Sequence, residues 1–131
     1  MYLVSFKTLA QDFDWRIISG ELSYKGEPMI GENVMIIGVP HGTVTDKNGR
    51  FCLLVPKEIP VYISIPQCFD SVVRLVDEST TDLNIKLNKR NSRLTKRASE
   101  KWLNDRLTLE PKLKKCFAAI NYQSKLAEKC N

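Results

Sequence analysis

Short apolar segments separated by turn residues make up most of residues 13–87. Gly, Pro, Asn and Asp recur between the segments, which is typical of strands joined by tight turns. Side chains alternate between the two faces of a strand, so Leu83, Ile85 and Leu87 are expected inside, as are Phe51, Leu53 and Val55. Seven short strands at this spacing predict a mainly β fold, a seven-stranded antiparallel Greek-key sandwich. The predicted strands are Arg16–Leu22, Asn33–Ile37, Thr43–Thr45, Arg50–Val55, Val61–Ile65, Ser71–Val76 and Asp82–Leu87.

The pattern changes to a helical one after Leu87. Between Lys89 and Leu109 there is no Gly or Pro, and Leu94, Ala98 and Trp102 recur every four residues, with Leu103 and Leu107 beside them. Pro111 interrupts this segment and is suited to the first turn of a second helix. A second apolar stripe at i, i+3, i+4 and i+7 follows, made by Leu113, Cys116, Phe117 and Ile120. We therefore expect three parts: an N-terminal arm at 1–14, a β-sandwich at 15–87, and a tail at 88–131 with a pair of α-helices broken near Pro111.

The charge is concentrated in the tail. Residues 1–87 hold 8 Lys+Arg and 11 Asp+Glu, a net charge of −3, whereas residues 88–131 hold 12 and 4, a net charge of +8. A basic tail of this kind indicates contact with an acidic partner, and no recognised nucleic-acid motif accompanies it. The second interpretation, which is preferred, is a solvated face on a helix that packs on the sandwich through Leu94, Trp102, Phe117 and Ile120. A third is that the apolar stripe docks on another chain. The candidate partner-binding residues are Lys96, Arg97, Trp102, Arg106, Leu113, Phe117 and Ile120.

Two features bear on the cellular compartment. The first residues are apolar and end in a small-residue site at Thr8–Gln11, which could be the remnant of a signal segment. They lack a basic region, so a first strand or a loose arm is preferred. Cys52, Cys68, Cys116 and Cys130 could form two disulfides in three ways, but free thiols are the preferred state. No apolar stretch is long enough to span a membrane.

The sequence offers little catalytic chemistry. His41 is the only histidine and lies between Pro40 and Gly42, where a solvated turn is expected; Asp46 is expected to close a turn. One histidine and no paired Cys-x-x-Cys motif argue against a zinc site, and no Gly-rich phosphate loop precedes a helix. We therefore predict no enzyme, no cofactor, and no catalytic or metal-binding residue.

One segment resembles a known family. Gly20-Glu21-Leu22, Gly26–Val34 and the hairpin Gly42–Phe51 resemble the carboxypeptidase regulatory-like (transthyretin-like) domain over about residues 15–87. Pro66–Phe69 departs from the family pattern, which more often has Gly-Tyr there. The resemblance implies a transthyretin-like β-sandwich.

The resemblance also implies a setting and a role. Such domains are most often accessory parts of bacterial cell-envelope proteins, especially in Bacteroidetes. The expected function is thus a non-catalytic interaction module, periplasmic or associated with the outer membrane, with the cytoplasm as the alternative. Its expected partner is another envelope protein, bound through the C-terminal helices. The alternative function is a glycan- or peptide-binding module using the sandwich loops, where Tyr24 and Phe69 are the candidate aromatic residues.

Overall fold

Eight strands and two helices make up the computed structural model of the chain, which describes residues 13–66, 72–87 and 92–130. The predictions made for residues 1–12, Cys68, Phe69, Lys89 and Arg90 lie outside these ranges. The strands are β1 (Trp15–Tyr24), β2 (Glu27–Pro28), β3 (Asn33–Ile36), β4 (Gly42–Val44), β5 (Arg50–Pro56), β6 (Val61–Ile65), β7 (Val72–Val76) and β8 (Asp82–Leu87). The helices are α1 (Ser92–Ala118) and α2 (Tyr122–Cys130).

The strands form two four-stranded sheets. In the first sheet β1 lies between β5 and β8 and also pairs with β2, and the second sheet has the order β4-β3-β6-β7. The predicted count of seven strands is wrong by one, because the expected turn after Tyr24 contains the two-residue strand β2. The expectation of purely antiparallel pairing is also wrong, because β8 runs parallel to β1. The chain reaches β8 from β7, which belongs to the other sheet, and such a crossover allows parallel pairing.

One hydrophobic core contains buried side chains of both sheets and of both helices. The expected alternation is confirmed: Phe51, Leu53 and Val55 are buried, as are Ile85 and Leu87, while Asn84 and Lys86 are exposed. Leu83, also expected inside, is half-buried and packs against the core. Leu54 departs from the alternation. It lies on the face of β5 opposite to Leu53 and Val55, yet it is fully buried as well. The fold is thus mainly β, with two sheets and two C-terminal helices.

The hairpin before β5 owes its shape to Asp46 and Gly49. Asp46 Oδ1 accepts hydrogen bonds from the backbone N–H groups of Asn48 and Arg50 at 2.8 and 3.0 Å. These bonds lower the pKa of the Asp46 carboxyl, since they favour its charged form. Gly49 has a φ of 73°, which a residue with a side chain rarely adopts. Within the described residues, Asp46 and Gly49 thus stabilise the hairpin turn in which they lie, as the sequence indicated.

The helical region is broken at a different place from the one expected. α1 continues through Pro111 to Ala118, so the predicted break near Pro111 is wrong. A proline inside a helix costs about 3 kcal/mol. Burial of Leu113, Cys116 and Phe117, all within one turn or two after it, offsets this cost. The break lies instead at residues 119–121, between α1 and α2. Asn121 Oδ1 caps α2 by accepting a hydrogen bond from Ser124 N–H at 3.2 Å.

The preference for free thiols is wrong for two of the cysteines. Cys52 of β5 is bonded to Cys130 at the end of α2, with 6.0 Å between their Cα atoms. Cys116 is free and fully buried. Burial raises the pKa of the Cys116 thiol to about 11, so it stays protonated and unreactive at neutral pH.

Candidate interaction surface

The inner face of α1 is fixed to the second sheet by aromatic and polar contacts. The Trp102 ring lies 5.6 Å from that of Tyr62, measured between centroids, and Tyr62 donates a hydrogen bond to Asp105 at 3.1 Å. One turn from the start of the helix, Thr95 Oγ1 accepts a hydrogen bond from the backbone N–H of Val73 at 3.3 Å. These contacts set which face of α1 points outward.

Four of the seven predicted partner-binding residues are used inside the molecule. Leu113 and Phe117 are 0% and 3% exposed, and both belong to the shared core. Trp102 and Ile120 are half-buried and pack against that core. The apolar stripe thus packs on the chain's own sheets, which leaves Leu113 and Phe117 almost no surface for a partner.

The other three predicted residues, Lys96, Arg97 and Arg106, are exposed. Arg106 lies 4.0 Å from the carboxylate of Glu110. Within the described ranges, Lys96 and Arg97 take part in no ion pair. These two cations on the N-terminal half of α1 therefore remain open to an external acidic group.

Two leucines that the sequence placed beside the inward stripe point outward instead. Leu103 is 60% exposed and Leu107 is 85% exposed. They lie on one line along α1 with Lys96 and Lys114, because spacings of seven, four and seven residues are close to whole turns of a helix with about 3.6 residues per turn. We call the four residues Lys96, Leu103, Leu107 and Lys114 the outer line of α1. This spacing is present in the sequence and could have identified the line before the structure was known.

The outer line lies on a positively charged helix. Residues 92–118 contain eight basic and three acidic residues, a net charge of +5. The acidic residues at 105 and 110 are engaged within the helix, where Lys101 lies 3.7 Å from Asp105 and Lys114 lies 3.3 Å from Glu110. Exposed pairs of this kind contribute little to stability. The resulting surface has two apolar side chains at its centre and a lysine at each end, of which Lys96 has no ion pair within the described residues and Lys114 is paired with Glu110.

An aromatic cluster joins the helices to both sheets. The ring of Phe117 contacts Trp15 edge to face at 5.0 Å, and the ring of Tyr122 lies 5.3 Å from Phe117. His41 stacks on both, at 5.5 Å from Phe117 and 5.0 Å from Tyr122. The expectation of a solvated turn for His41 is therefore wrong: its ring is half-buried against the helices. The sequence could not show this, because its partners lie more than seventy residues away.

A second surface lies on the outward face of the first sheet. A groove of about 710 Å³ is bordered there by α2 and by the segment around β4. Its floor has two cross-strand rows: Ser19 pairs with Asp82 and Cys52, and Glu21 pairs with Asn84 and Arg50. Arg50 Nε donates a hydrogen bond to Glu21 at 3.0 Å. Tyr24, a predicted ligand-binding aromatic residue, is not among the residues that line the groove.

Two further properties concern only the described residues. They contain no group of three or more His, Cys, Asp or Glu side chains placed to hold a metal ion. Neither of their helices is apolar enough over a sufficient length to cross a membrane.

Comparison with known proteins gives little at the level of sequence. No protein-family model matches the chain, and no curated protein matches it. Among solved structures, the chain is similar to a DUF3823 family protein from Parabacteroides merdae, with 12% identity and a TM-score of 0.44. The match covers 58% of this chain and 46% of that protein, so the chain corresponds to less than half of the neighbour's length.

Proposed function

We propose that this protein is a non-catalytic interaction module that binds an acidic protein surface through the outer line of α1. The observation that carries the proposal is the exposure of Leu103 and Leu107, at 60% and 85%, between two lysines on a helix of net charge +5. A leucine with this much apolar surface in water gains free energy when a partner covers it. The bracketing charges would select the partner and orient it.

The partner has a stated chemistry. It presents a shallow apolar depression that receives two leucine side chains one turn apart, with carboxylates at each end to meet Lys96 and Lys114. Recognition of one helix face by a groove is a common mode of protein association. A lipid surface is disfavoured, because amphipathic helices that lie on membranes present a wide apolar face, and two leucines provide a narrow one.

We place the module in the bacterial cell envelope, as an accessory part of a larger assembly in the periplasm or at the outer membrane. Two observations support this. The Cys52–Cys130 disulfide is typical of proteins in an oxidising compartment. The segment 15–87 resembles the carboxypeptidase regulatory-like domain, and such domains are most often parts of envelope proteins. We also propose that this segment has the Greek-key connections of a sandwich.

The hairpin geometry supports that family assignment. Asp46 and Gly49 of the motif form the turn, and Gly20 lies where an added Cβ would collide with the Leu83 carbonyl oxygen and the Phe51 ring. A larger residue at position 20 would therefore push β8 or Phe51 out of place. Each of these motif positions has a structural reason for its residue type.

A second candidate function rests on the groove of the first sheet. Its mixed lining of carboxylate, amide, hydroxyl and guanidinium groups suits a glycan or an extended peptide. Of the exposed apolar residues, Val44 lies at its border and is 53% exposed. A probe at position 44 can therefore test whether a ligand binds in the groove.

The test is site-specific photo-crosslinking in cells of the organism that encodes the chain. A benzoylphenylalanine introduced at Leu107 is expected to give one protein adduct of defined mass. The adduct should disappear when Lys96→Glu and Lys114→Glu are added, and the identified partner, once purified, should bind the chain directly with an affinity that falls as salt increases.

The same probe at Val44 is the control. A protein adduct at Val44 and none at Leu107 would favour the groove and overturn the proposal. A lipid adduct at Leu107 would also overturn it.

A further inference from the structure

The two ends of α2 are held by different kinds of contact. At its start, Tyr122 is 1% exposed, donates a hydrogen bond to the Leu54 carbonyl at 2.7 Å, and accepts one from Leu54 N–H at 3.2 Å. After Tyr122, Lys125 and Leu126 are half-buried, and the remaining side chains before Cys130 are exposed. The start of the helix is therefore part of the core, and its last turns have few noncovalent contacts.

The disulfide is the strongest connection at the end of α2. It ties Cys130, in the last turn, to Cys52 on β5. α2 has nine residues, and an isolated helix shorter than about 12 residues is marginal in water. Without the covalent tether, the single turn after Leu126 would have little to keep it helical.

The end of α2 is also one wall of the groove. Gln123, Leu126, Ala127 and Cys130 border it on one side, and the strand residues of the first sheet form its floor. Any movement of these turns changes the width of the groove directly. The disulfide therefore sets the shape of this surface.

The disulfide is open to reagents while the third described cysteine is not. Cys52 and Cys130 are half-buried and border the open groove, whereas Cys116 is 0% exposed. Because both residues line the groove, a reductant is expected to approach this disulfide from the groove, without opening of the core around Cys116. Reduction would therefore be selective for the tether.

We propose that the Cys52–Cys130 disulfide is a reversible latch: its reduction frees the last turns of α2 and widens the groove, while Tyr122 stays docked on β5. The co-reactant is a dithiol. Its thiolate attacks one sulfur of the disulfide to form a mixed disulfide, and its second thiol displaces the protein sulfur. Two electrons and two protons pass to the protein, which gains the Cys52 and Cys130 thiols, and the dithiol becomes a disulfide.

The test is hydrogen–deuterium exchange of the full chain with and without dithiothreitol. We expect exchange of the amides from Leu126 to Cys130 to become about tenfold faster or more on reduction. The Leu54 amide, which is bonded to the Tyr122 hydroxyl, is expected to stay protected. Unchanged exchange at the end of α2 would overturn the proposal, as would equal acceleration in β1 and β5.

Cys130→Ser is the matched variant. It should reproduce the reduced pattern without reductant, and adding dithiothreitol should change nothing further. Alkylation of the reduced native wild-type protein provides an independent readout, in which Cys52 and Cys130 are modified and Cys116 is not. Modification of Cys116 at the same rate would mean global opening and would contradict the latch.

Discussion

Tyr122 connects the second helix to the first sheet through its hydroxyl group. The hydroxyl forms two hydrogen bonds with the backbone of Leu54, whose side chain is fully buried. Burial raises the pKa of the Tyr122 hydroxyl well above its ordinary value, so it remains a hydrogen-bond donor throughout the physiological range. In the described structure, β5 pairs with β1 on one side only. On its other side, the Tyr122 hydroxyl takes the place of a neighbouring strand and satisfies the backbone N–H and C=O of Leu54.

Tyr122→Phe is expected to lower the free energy of unfolding by about 3 kcal/mol, because it leaves a buried N–H and a buried C=O without partners. Urea unfolding at neutral pH measures this change. Tyr62→Phe is the matched control, since the Tyr62 hydroxyl bonds to the partly exposed carboxylate of Asp105. It should cost about 1 kcal/mol. Equal losses in the two variants would contradict the assigned role of Tyr122.

Asp46 predicts a specific dependence of stability on pH. Its pKa in the folded chain lies below the ordinary value of 3.8, chiefly because the N–H groups of Arg50 and Asn48 donate to the carboxylate. A lowered folded pKa contributes stability above the unfolded pKa, and this contribution is lost as pH falls through the folded pKa.

Comparison of the wild type with Asp46→Asn by denaturant unfolding tests this. The advantage of the wild type should be constant from pH 7 to about 5 and should shrink below about 4. An advantage that grows on acidification would contradict the account.

At the scale of elements, the strands were predictable and the helix ends were not. Alternation identified the inward residues of β5 and β8, because one face of each strand packs between the sheets; Leu54, buried on the other face of β5, did not follow this pattern. The predicted helix break at Pro111 was wrong, because the prediction considered only the cost of a proline in a helix. It left out the stabilisation from burial of Leu113 and Phe117 after it. The outer line of α1 was missed for a related reason: Leu103 and Leu107 were placed beside the stripe of Leu94, Ala98 and Trp102 and given no surface of their own. Leu103 and Leu107 show that part of the apolar pattern serves the surface.

Pro111→Ala is expected to raise the free energy of unfolding by about 2 kcal/mol, since it removes a helix-interior proline from a segment that is helical on both sides. Thermal unfolding measures this change. Thr108→Ala, at an exposed position of the same helix, should change stability by only a few tenths of a kcal/mol. A loss of stability in Pro111→Ala would mean that the proline has a structural role in α1.

At the scale of the whole molecule, the tail is both part of the fold and a surface. Leu113, Phe117 and Tyr122 complete the core, whereas the opposite side of α1 carries the positive charge. The helices and the sheets therefore share one core, and the division into a sandwich at 15–87 and a tail at 88–131 stays a prediction. The sequence indicated this packing through Trp102, Phe117 and Ile120 as one interpretation, but it could not give the individual contacts, because the residues that form them are distant along the chain.

A fragment ending at Asn91 is consequently expected to lose cooperative unfolding, because it exposes the side of the core that the helices cover. Differential scanning calorimetry tests this. A fragment with a sharp transition at the temperature of the full chain would instead support an independent sandwich.

The most direct test of the central claim uses the partner that crosslinking identifies, purified on its own. Titration calorimetry measures its affinity for variants of the outer line of α1. Leu103→Ser combined with Leu107→Ser is expected to weaken binding about 100-fold, since two exposed leucines lose their burial in the partner. Val44→Ser, on the other surface, is expected to leave the affinity unchanged. Full affinity in the double leucine variant, or a loss in Val44→Ser alone, would contradict the assignment of α1 as the binding surface.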